Sequence, residues 1–287
     1  MKILVTGATG LIGSEVTNTL VAAGHQVIAT DRKDGSIPQG VIFQPGDLTD
    51  EAFIESLDFN CDAVVHLGSI PQPFDDRDFE VFNNNVSCTY KVFAKAAAHN
   101  VKVVIYASSL SIYGTAYSGP WTSPEFAPFD ESLPFHRYDC YALSKEVNER
   151  SADMWANRSE TAFVGLRFPF CKTMHTIEEH AKAQRDGHAE TIRVAAKILW
   201  GYLDVRDAAA GILAILASKS EGSKAYNFTA PDTTAPLPTK DMLAKFHPTT
   251  KIVREIAGYG ALTDCSRWID TFGYLPVHLI DRKKLGI

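Results

Sequence analysis

"KILVTGATGLIG" (residues 2–13) places an apolar run directly before Gly7, Gly10 and Gly13, and an amphipathic stretch over 11–23 follows. A strand that ends on three glycines and turns at once into a helix has a physical use. Glycine permits the tight turn and lets the backbone approach a ligand closely, and the new helix presents free N–H groups and a positive dipole end to an anion. The spacing is GxxGxxG, one residue wider at its start than GxGxxG. Glycine triplets also serve ordinary turns, so the stretch gains weight from what comes next. "VIATD" (27–31) ends a second apolar run on Asp31, 18 residues past Gly13. A carboxylate there is placed for the ribose hydroxyls of a dinucleotide. It also repels a 2′-phosphate, which makes NAD the expected cofactor over NADP. Arg32, next in line, has three open uses: pairing with a phosphate, stacking on the adenine, or projecting into solvent.

Working outward, the first two thirds of the chain alternate apolar runs with helical patterns. "VIFQPGD", "DAVVHLG", "VKVVIYASS" and "AFVGLRF" are rich in Val and Ile and unbroken by polar alternation. Such strands belong to a parallel sheet covered on both faces. The expected fold is therefore α/β, a Rossmann-type doubly wound parallel sheet. After about residue 168 the rhythm breaks down, and "HTIEEHAKAQRDGHAE" is merely polar. The expected division is a dinucleotide-binding domain over 1–167 and a smaller C-terminal substrate-binding lobe over 168–287, with some segments returning to the first. Residues 114–137 hold Pro120, Pro124, Pro128 and Pro134, which prevent one continuous helix or strand. A loop that long is usually functional. The helix expected over 77–99 carries two apolar stripes, one with Phe79, Phe82, Val86, Tyr90, Phe93 and Ala97, the other with Val81, Cys88, Val92 and Ala96. Its second face needs another helix, from this chain or a second copy, and a homodimer is expected.

Composition excludes several classes. With 45 % hydrophobic and 22 % charged residues, the 287-residue chain has the make-up of a soluble globular protein. A net charge of −6 without a basic run argues against nucleic acid as a partner. No apolar run approaches a membrane span, and the N-terminus reads as a strand rather than a signal peptide. The five cysteines form no CxxC pair, which suits neither zinc nor a disulfide framework and fits a cytoplasmic protein with reduced thiols. In "HTIEEH", His175 and Glu179 are four apart but His180 falls on another face, so no metal is expected.

"YDCYALSKEVNER" (138–150) contains the only YxxxK among ten tyrosines, Tyr141 and Lys145. Neighbours four apart on a helix are common. This pair, however, follows a strand ending in "YASSLSIYG", at the carboxyl edge where doubly wound sheets bind ligands. With "TGATGLIG", "GDLTD", "HLGS", "NNNVSCTYKVFAKAA", "YASSLSIYG", "YALSK" and "YLDVRDAAAG" in sequence, the chain resembles the extended short-chain dehydrogenase/reductase family of NAD(P)-dependent sugar epimerases, dehydratases and dehydrogenases. The resemblance covers residues 1 to about 230 and is most specific in the first 170. "WIDTFGYLP" is similar to the family's final helix and turn, more loosely.

That resemblance implies roles residue by residue. Tyr141 aligns with the catalytic acid/base and Lys145 with the cation that lowers a phenol pKa of ~10 and holds the nicotinamide ribose. Ser109, four before Tyr113, aligns with the hydroxyl that bonds the substrate oxygen, with Ser108 as the rival. Asp47 matches an adenine-edge contact, with Leu48 beside it, although Asp47 also reads as a helix N-cap. Leu67, Gly68 and Ser69 align with residues lining the dinucleotide. So does Asn85, near the nicotinamide, in a register blurred by Asn83 and Asn84. Thr9, Leu11 and Ile12 complete the expected cofactor contacts in the glycine loop. His66 reads as a satisfied strand-end histidine. Ser111, Tyr113 and Phe170 are expected at the substrate, with His175 and Trp200 as further candidates.

Two departures bear on substrate. Relatives acting on nucleotide sugars carry an Asn shortly after the strand that reads "AFVGLRF" here, where this chain has Pro169, Phe170 and Cys171. Only about thirty residues separate Cys171 from Tyr202, which suggests too little room for a nucleoside diphosphate. The expected activity is therefore an NAD-dependent hydride transfer on a small, carbohydrate-like substrate: a sugar, polyol or sugar acid. Lys172, Arg185 and Arg193 are the candidate partners of a carboxylate. The alternatives are a sugar epimerase that recycles its bound cofactor, and, from another class, a non-catalytic NAD-binding regulator. "SSLSIYG" offers no acidic pair, which disfavours dehydration.

Overall fold

In the computed structural model, which describes residues 1–74 and 76–287, the Val- and Ile-rich runs form the middle of a seven-stranded parallel sheet. β1 (Lys2–Thr6) lies between β2 (Gln26–Thr30) and β4 (Ala63–His66), and β3 (Ile42–Phe43) closes that edge beyond β2. On the other side β4 is followed by β5 (Val103–Ser109), β7 (Ala162–Phe168) and, at the far edge, β10 (Ser223–Asn227). The chain leaves β1 in one direction and returns on its other side at β4. A crevice therefore opens above the carboxyl ends of those two strands.

Helices cover both faces, which is why β4 and β7, apart from His66 and Arg167, are apolar without alternation, and both are buried along their whole length. α1 (Leu11–Ala22), α7 (Val205–Leu216) and α9 (Ser266–Phe272) pack on one face through Val16, Leu20, Ile212 and Trp268. α2 (Glu51–Ser56), α3 (Asp78–Ala98) and α4 (Cys140–Ala156) pack on the other. The second face of α3 is met by this chain's own α4, which is its main helical neighbour. Val81, Cys88, Val92 and Ala96 of one stripe are buried. The other stripe is only partly inside: Phe93 and Ala97 are buried, whereas Tyr90 and Phe79 remain exposed, Phe79 to 82 %.

Beyond Phe168 the polar stretch is helical after all. α5 (Met174–Arg185) and α6 (Ala189–Lys197) join the parallel pair β8 (Phe170–Lys172) and β9 (Tyr202–Asp204). Only Ile177, Ala181 and Gln184 of α5, and Ala195 and Ala196 of α6, are buried, so most of the buried side chains here are small or polar. The lobe also draws in residues ahead of the boundary expected at 167. Ile112, Tyr113 and Phe129 share its core with Trp200, Met242 and Leu243 of the segment that includes α8 (Thr239–Phe246). A short strand β6 (Phe126–Ala127) in the proline-rich loop pairs with β11 (Lys251–Ile252), and α10 (Arg282–Leu285) ends the lobe. No helix among the described residues is long and apolar enough to cross a membrane.

Candidate active site

The glycine loop is as tight as its sequence implies. Gly7 adopts φ +69°, and a Cβ there would lie 2.6 Å from Gly68 N; a Cβ on Gly13 would lie 2.0 Å from the Gly7 carbonyl oxygen. Gly10 caps α1 without a side-chain acceptor, so the first amides of the helix remain free for an anion. Asp31, at the end of β2, turns back to this loop: one oxygen accepts from the Thr9 amide (3.1 Å), the other from the Lys33 amide (3.3 Å). Arg32 reaches the Asp47 carboxylate at 3.7 Å, so the acid expected at the adenine edge already has a cation. Burial raises the Asp47 pKa, but hydrogen bonds from Thr49 and the Arg32 charge outweigh it and hold it below the usual range. The N-cap of α2 is Asp50 rather than Asp47; Asp50 accepts from the Ala52 amide at 2.8 Å.

Above the sheet lies a cleft of about 670 Å³. Gly7, Gly10, Leu11, Ile12 and Gly13 form one wall, with Leu67 and Ser69 from the end of β4. Ser109, Tyr141 and Lys145 lie at its floor, and the far wall is Phe168 to Lys172 with Arg193, Val194 and Lys197 of α6. Gly68 backs the loop rather than facing the cleft, with Leu48 packed behind it. An uncapped helix N-terminus, an acid at the end of β2 and a small-residue wall at the end of β4 together fit a dinucleotide.

Asp139 caps α4, accepting from the Ala142 amide at 2.8 Å, and so fixes Tyr141 in the first turn. Tyr141 is 7 % exposed and Lys145, one turn on, 2 %. The Lys145 Nζ donates to Ser69 Oγ and to the Ala107 carbonyl, both at 3.0 Å, and lies 5.4 Å from the Tyr141 ring centre. Burial lowers the Lys145 pKa to about 8. Burial also pushes the Tyr141 phenol well above its usual value, aided by Tyr117, while a hydrogen bond with Ser109 pulls the other way. In the chain alone, then, Tyr141 is not shifted toward neutrality as expected: desolvation wins over the lowering effect of Ser109.

Alternation along β5 separates the two serine candidates. Ser108 turns away and donates to Glu149 at 2.6 Å. Ser109 faces the cleft together with Tyr141, and accepts from both the amide and the hydroxyl of Ser111, at 3.1 and 3.0 Å. Asn85 does not line the cleft. Its side chain is spent on the backbone of Ile70, accepting at 2.8 Å and donating at 3.0 Å, so it pins the loop after β4 from behind. Asn83 and Asn84 do not share that position. His66 is enclosed between Thr6 (2.7 Å) and Thr89 (2.9 Å). Tyr113 is buried, donating to Asn227 at 2.8 Å and accepting from Arg167 at 2.7 Å, while one side of its ring borders an inner cavity with Ser111 and Phe170. Lys172 and Arg193 line the cleft, whereas Arg185 is committed to the Leu285 carbonyl and Asp186. His175 and Glu179 form an exposed pair, and among the described residues no three His, Cys, Asp or Glu side chains gather. Sequence reasoning missed Glu149, although it continues the Tyr141, Lys145 spacing by one more turn on the same buried face.

Fold and cleft together define a Rossmann-type protein with a cleft fitted for a dinucleotide. The chain belongs to the NAD dependent epimerase/dehydratase family, whose model matches residues 3–228. It is similar to a UDP-glucose 4-epimerase of Neisseria meningitidis serogroup B, 29 % identical over 164 residues, covering 52 % of this chain and 46 % of that one. The chain thus spans about half the length of the curated relatives it matches. Among solved structures it resembles MoeE5 in complex with UDP-glucose and NAD, with a TM-score of 0.72, 21 % identity, and coverage of 100 % of this chain and 96 % of that one. It likewise resembles a mutated uronate dehydrogenase, with a TM-score of 0.70, 19 % identity and coverage of 99 % and 85 %.

Proposed function

We propose that this enzyme exchanges a hydride between NAD and a carbinol carbon of a sugar. The observation that carries the reading is the convergence of Ser109, Tyr141 and Lys145 at the cleft floor, beside the glycine loop. Bound NAD supplies the hydride acceptor and donor. Ser109 orients the sugar oxygen, Tyr141 Oη takes or returns its proton, and Lys145 holds positive charge behind the phenol. A buried phenol with a raised pKa needs that charge, because otherwise the phenolate is too costly to form.

Of the two forms this chemistry takes, the curated relatives favour the epimerase, in which the hydride is returned and the cofactor stays bound. The net dehydrogenase, expected from the sequence, becomes the second reading. It keeps one observation in its favour, the Pro169–Phe170–Cys171 wall in place of an asparagine. A nucleotide sugar as substrate is supported by MoeE5, which resembles this chain over its whole length and whose structure holds UDP-glucose. The deciding experiment is the NAD content after extensive desalting, followed by incubation with UDP-glucose. Near-stoichiometric NAD and formation of the 4-epimer support the epimerase. An empty site with NADH released from a free sugar or sugar acid replaces it by the dehydrogenase.

A homodimer and a cytoplasmic location belong to the same proposal. Tyr90 and Leu143, exposed on α3 and α4, support the first, and five unpaired cysteines fit the second. Light scattering on the purified protein tests the dimer, and a monomeric mass removes it.

A further inference from the structure

A second cavity of about 80 Å³ lies beside the cleft, next to Ser109 and Ala116. Ser109, Tyr117, Phe168, Pro169 and Phe170 line both spaces, so the two are direct neighbours. The inner one is closed by Tyr113, Phe129, Leu199 and Thr263. Its size suits a substituent of a few heavy atoms, not a second ring. Among the described residues none of its lining side chains is charged; its side-chain polar groups are hydroxyls. Arg167 approaches from behind Tyr113, but its guanidinium is already paired with Glu149 and donates to the Tyr113 hydroxyl. The cations of the site, Lys145, Lys172, Arg193 and Lys197, line the outer cleft instead.

Tyr117 stands where the two spaces join, its ring edge-on to that of Tyr141 with centres 6.0 Å apart. The strap that carries it is anchored on both sides. Lys197 Nζ donates to the Ser118 carbonyl at 2.7 Å, Trp121 donates to the Phe246 carbonyl at 2.8 Å, and Gly114 is packed so closely that a Cβ would lie 2.2 Å from the His136 oxygen. An aromatic ring held beside the reacting groups offers an apolar face to a sugar and narrows the way past it.

We infer that the inner pocket is the subsite for an uncharged substituent, a hydroxymethyl or methyl group, on the sugar ring that reacts at Tyr141, and that Tyr117 is the specificity-determining residue at its entrance. The inference rests on the reading of the site as a sugar oxidoreductase. It selects neutral sugars over uronic acids, because a carboxylate in this pocket would lose water without meeting a cation.

The test compares two pairs of substrates that differ only as hydroxymethyl against carboxylate: UDP-glucose with UDP-glucuronate, and galactose with galacturonate. In whichever pair reacts, kcat/KM is expected to favour the hydroxymethyl member by roughly 100-fold or more. Ala116→Arg, which brings a cation to the join, is expected to cut that ratio by about tenfold or more with NAD affinity retained. Tyr117→Ala is expected to lower the ratio and Tyr117→Phe to keep it. Equal use of both members, or preference for the carboxylate, overturns the subsite while leaving the sugar reading intact. If neither pair reacts although NAD binds, the sugar reading fails and the subsite with it. A ratio that responds alike to Tyr117→Ala and Tyr117→Phe removes Tyr117 from the assignment.

Discussion

Arg167 and Glu149 meet as a two-pronged ion pair, at 3.0 and 2.7 Å, with side chains only 6 % and 11 % exposed. Arg167 stands on β7 in register with Ser108 of β5, and Glu149 on α4 two turns past Tyr141. The pair therefore ties β7 to the helix that carries Tyr141 and Lys145, and Ser108, donating to the same Glu149 at 2.6 Å, adds the strand that carries Ser109. Removing one charge leaves the other buried and unpaired. Glu149→Gln is expected to destabilise the fold by about 3–5 kcal/mol. Urea unfolding checks this, and a loss well under 1 kcal/mol would mean that water reaches Arg167.

The two adjacent serines should separate cleanly. Ser109→Ala removes the hydroxyl beside Tyr141, and turnover is expected to fall by about 10²–10⁴-fold while NAD still binds. Ser108→Ala removes a donor to Glu149, with an expected stability loss of about 1–3 kcal/mol and little change in turnover. Measuring kcat and unfolding for both variants decides it. The roles are reversed if Ser108→Ala is the inactive protein.

Much of this site was legible in the sequence because its physics is local. A glycine loop, an acid ending the next strand and a Tyr/Lys pair one helical turn apart each announce themselves within a few residues. What stayed hidden depends on tertiary contacts. The pairing of Arg32 with Asp47 joins two loops, and Asn85 differs from Asn84 only in which face of α3 it occupies. The helices over 174–197 were read only as a polar stretch, because small or polar side chains such as Ala181, Gln184, Ala195 and Ala196 make most of their buried contacts. Glu149 was the exception: its spacing from Lys145 was visible, but its partner Arg167 lay inside a strand that read as purely apolar.

Cofactor choice is open to a direct test at Asp31. Its carboxylate faces the glycine loop and carries the charge that opposes a 2′-phosphate. Asp31→Ser keeps a hydrogen-bonding group and removes that charge, leaving Arg32 nearby. The ratio of NAD to NADP affinity is expected to drop by about tenfold or more, a shift of ~1.4 kcal/mol. Titration with both cofactors reads it, and an unchanged ratio would place the discriminating group elsewhere.

His66 makes acid sensitivity a property of the sheet itself. It is 3 % exposed between Thr6 and Thr89, and burial lowers its pKa to about 3 from the ordinary 6.5. Its folded pKa lies below its unfolded one, so between those values the unfolded chain binds a proton that the native chain refuses. The stability from a neutral His66 is therefore fully present above pH 6.5 and is lost as pH falls toward 3. Its share is at most about 1.4 kcal/mol per pH unit. Burial also lowers the pKa of His180 and His247, so the whole-protein slope is shared. The informative measurement is thus a difference. Urea unfolding of the wild type and of His66→Gln between pH 7 and pH 5 should show the variant less stable at pH 7 but losing less on acidification. Parallel slopes for the two proteins would mean that His66 takes up its proton without leaving its site between the two threonines.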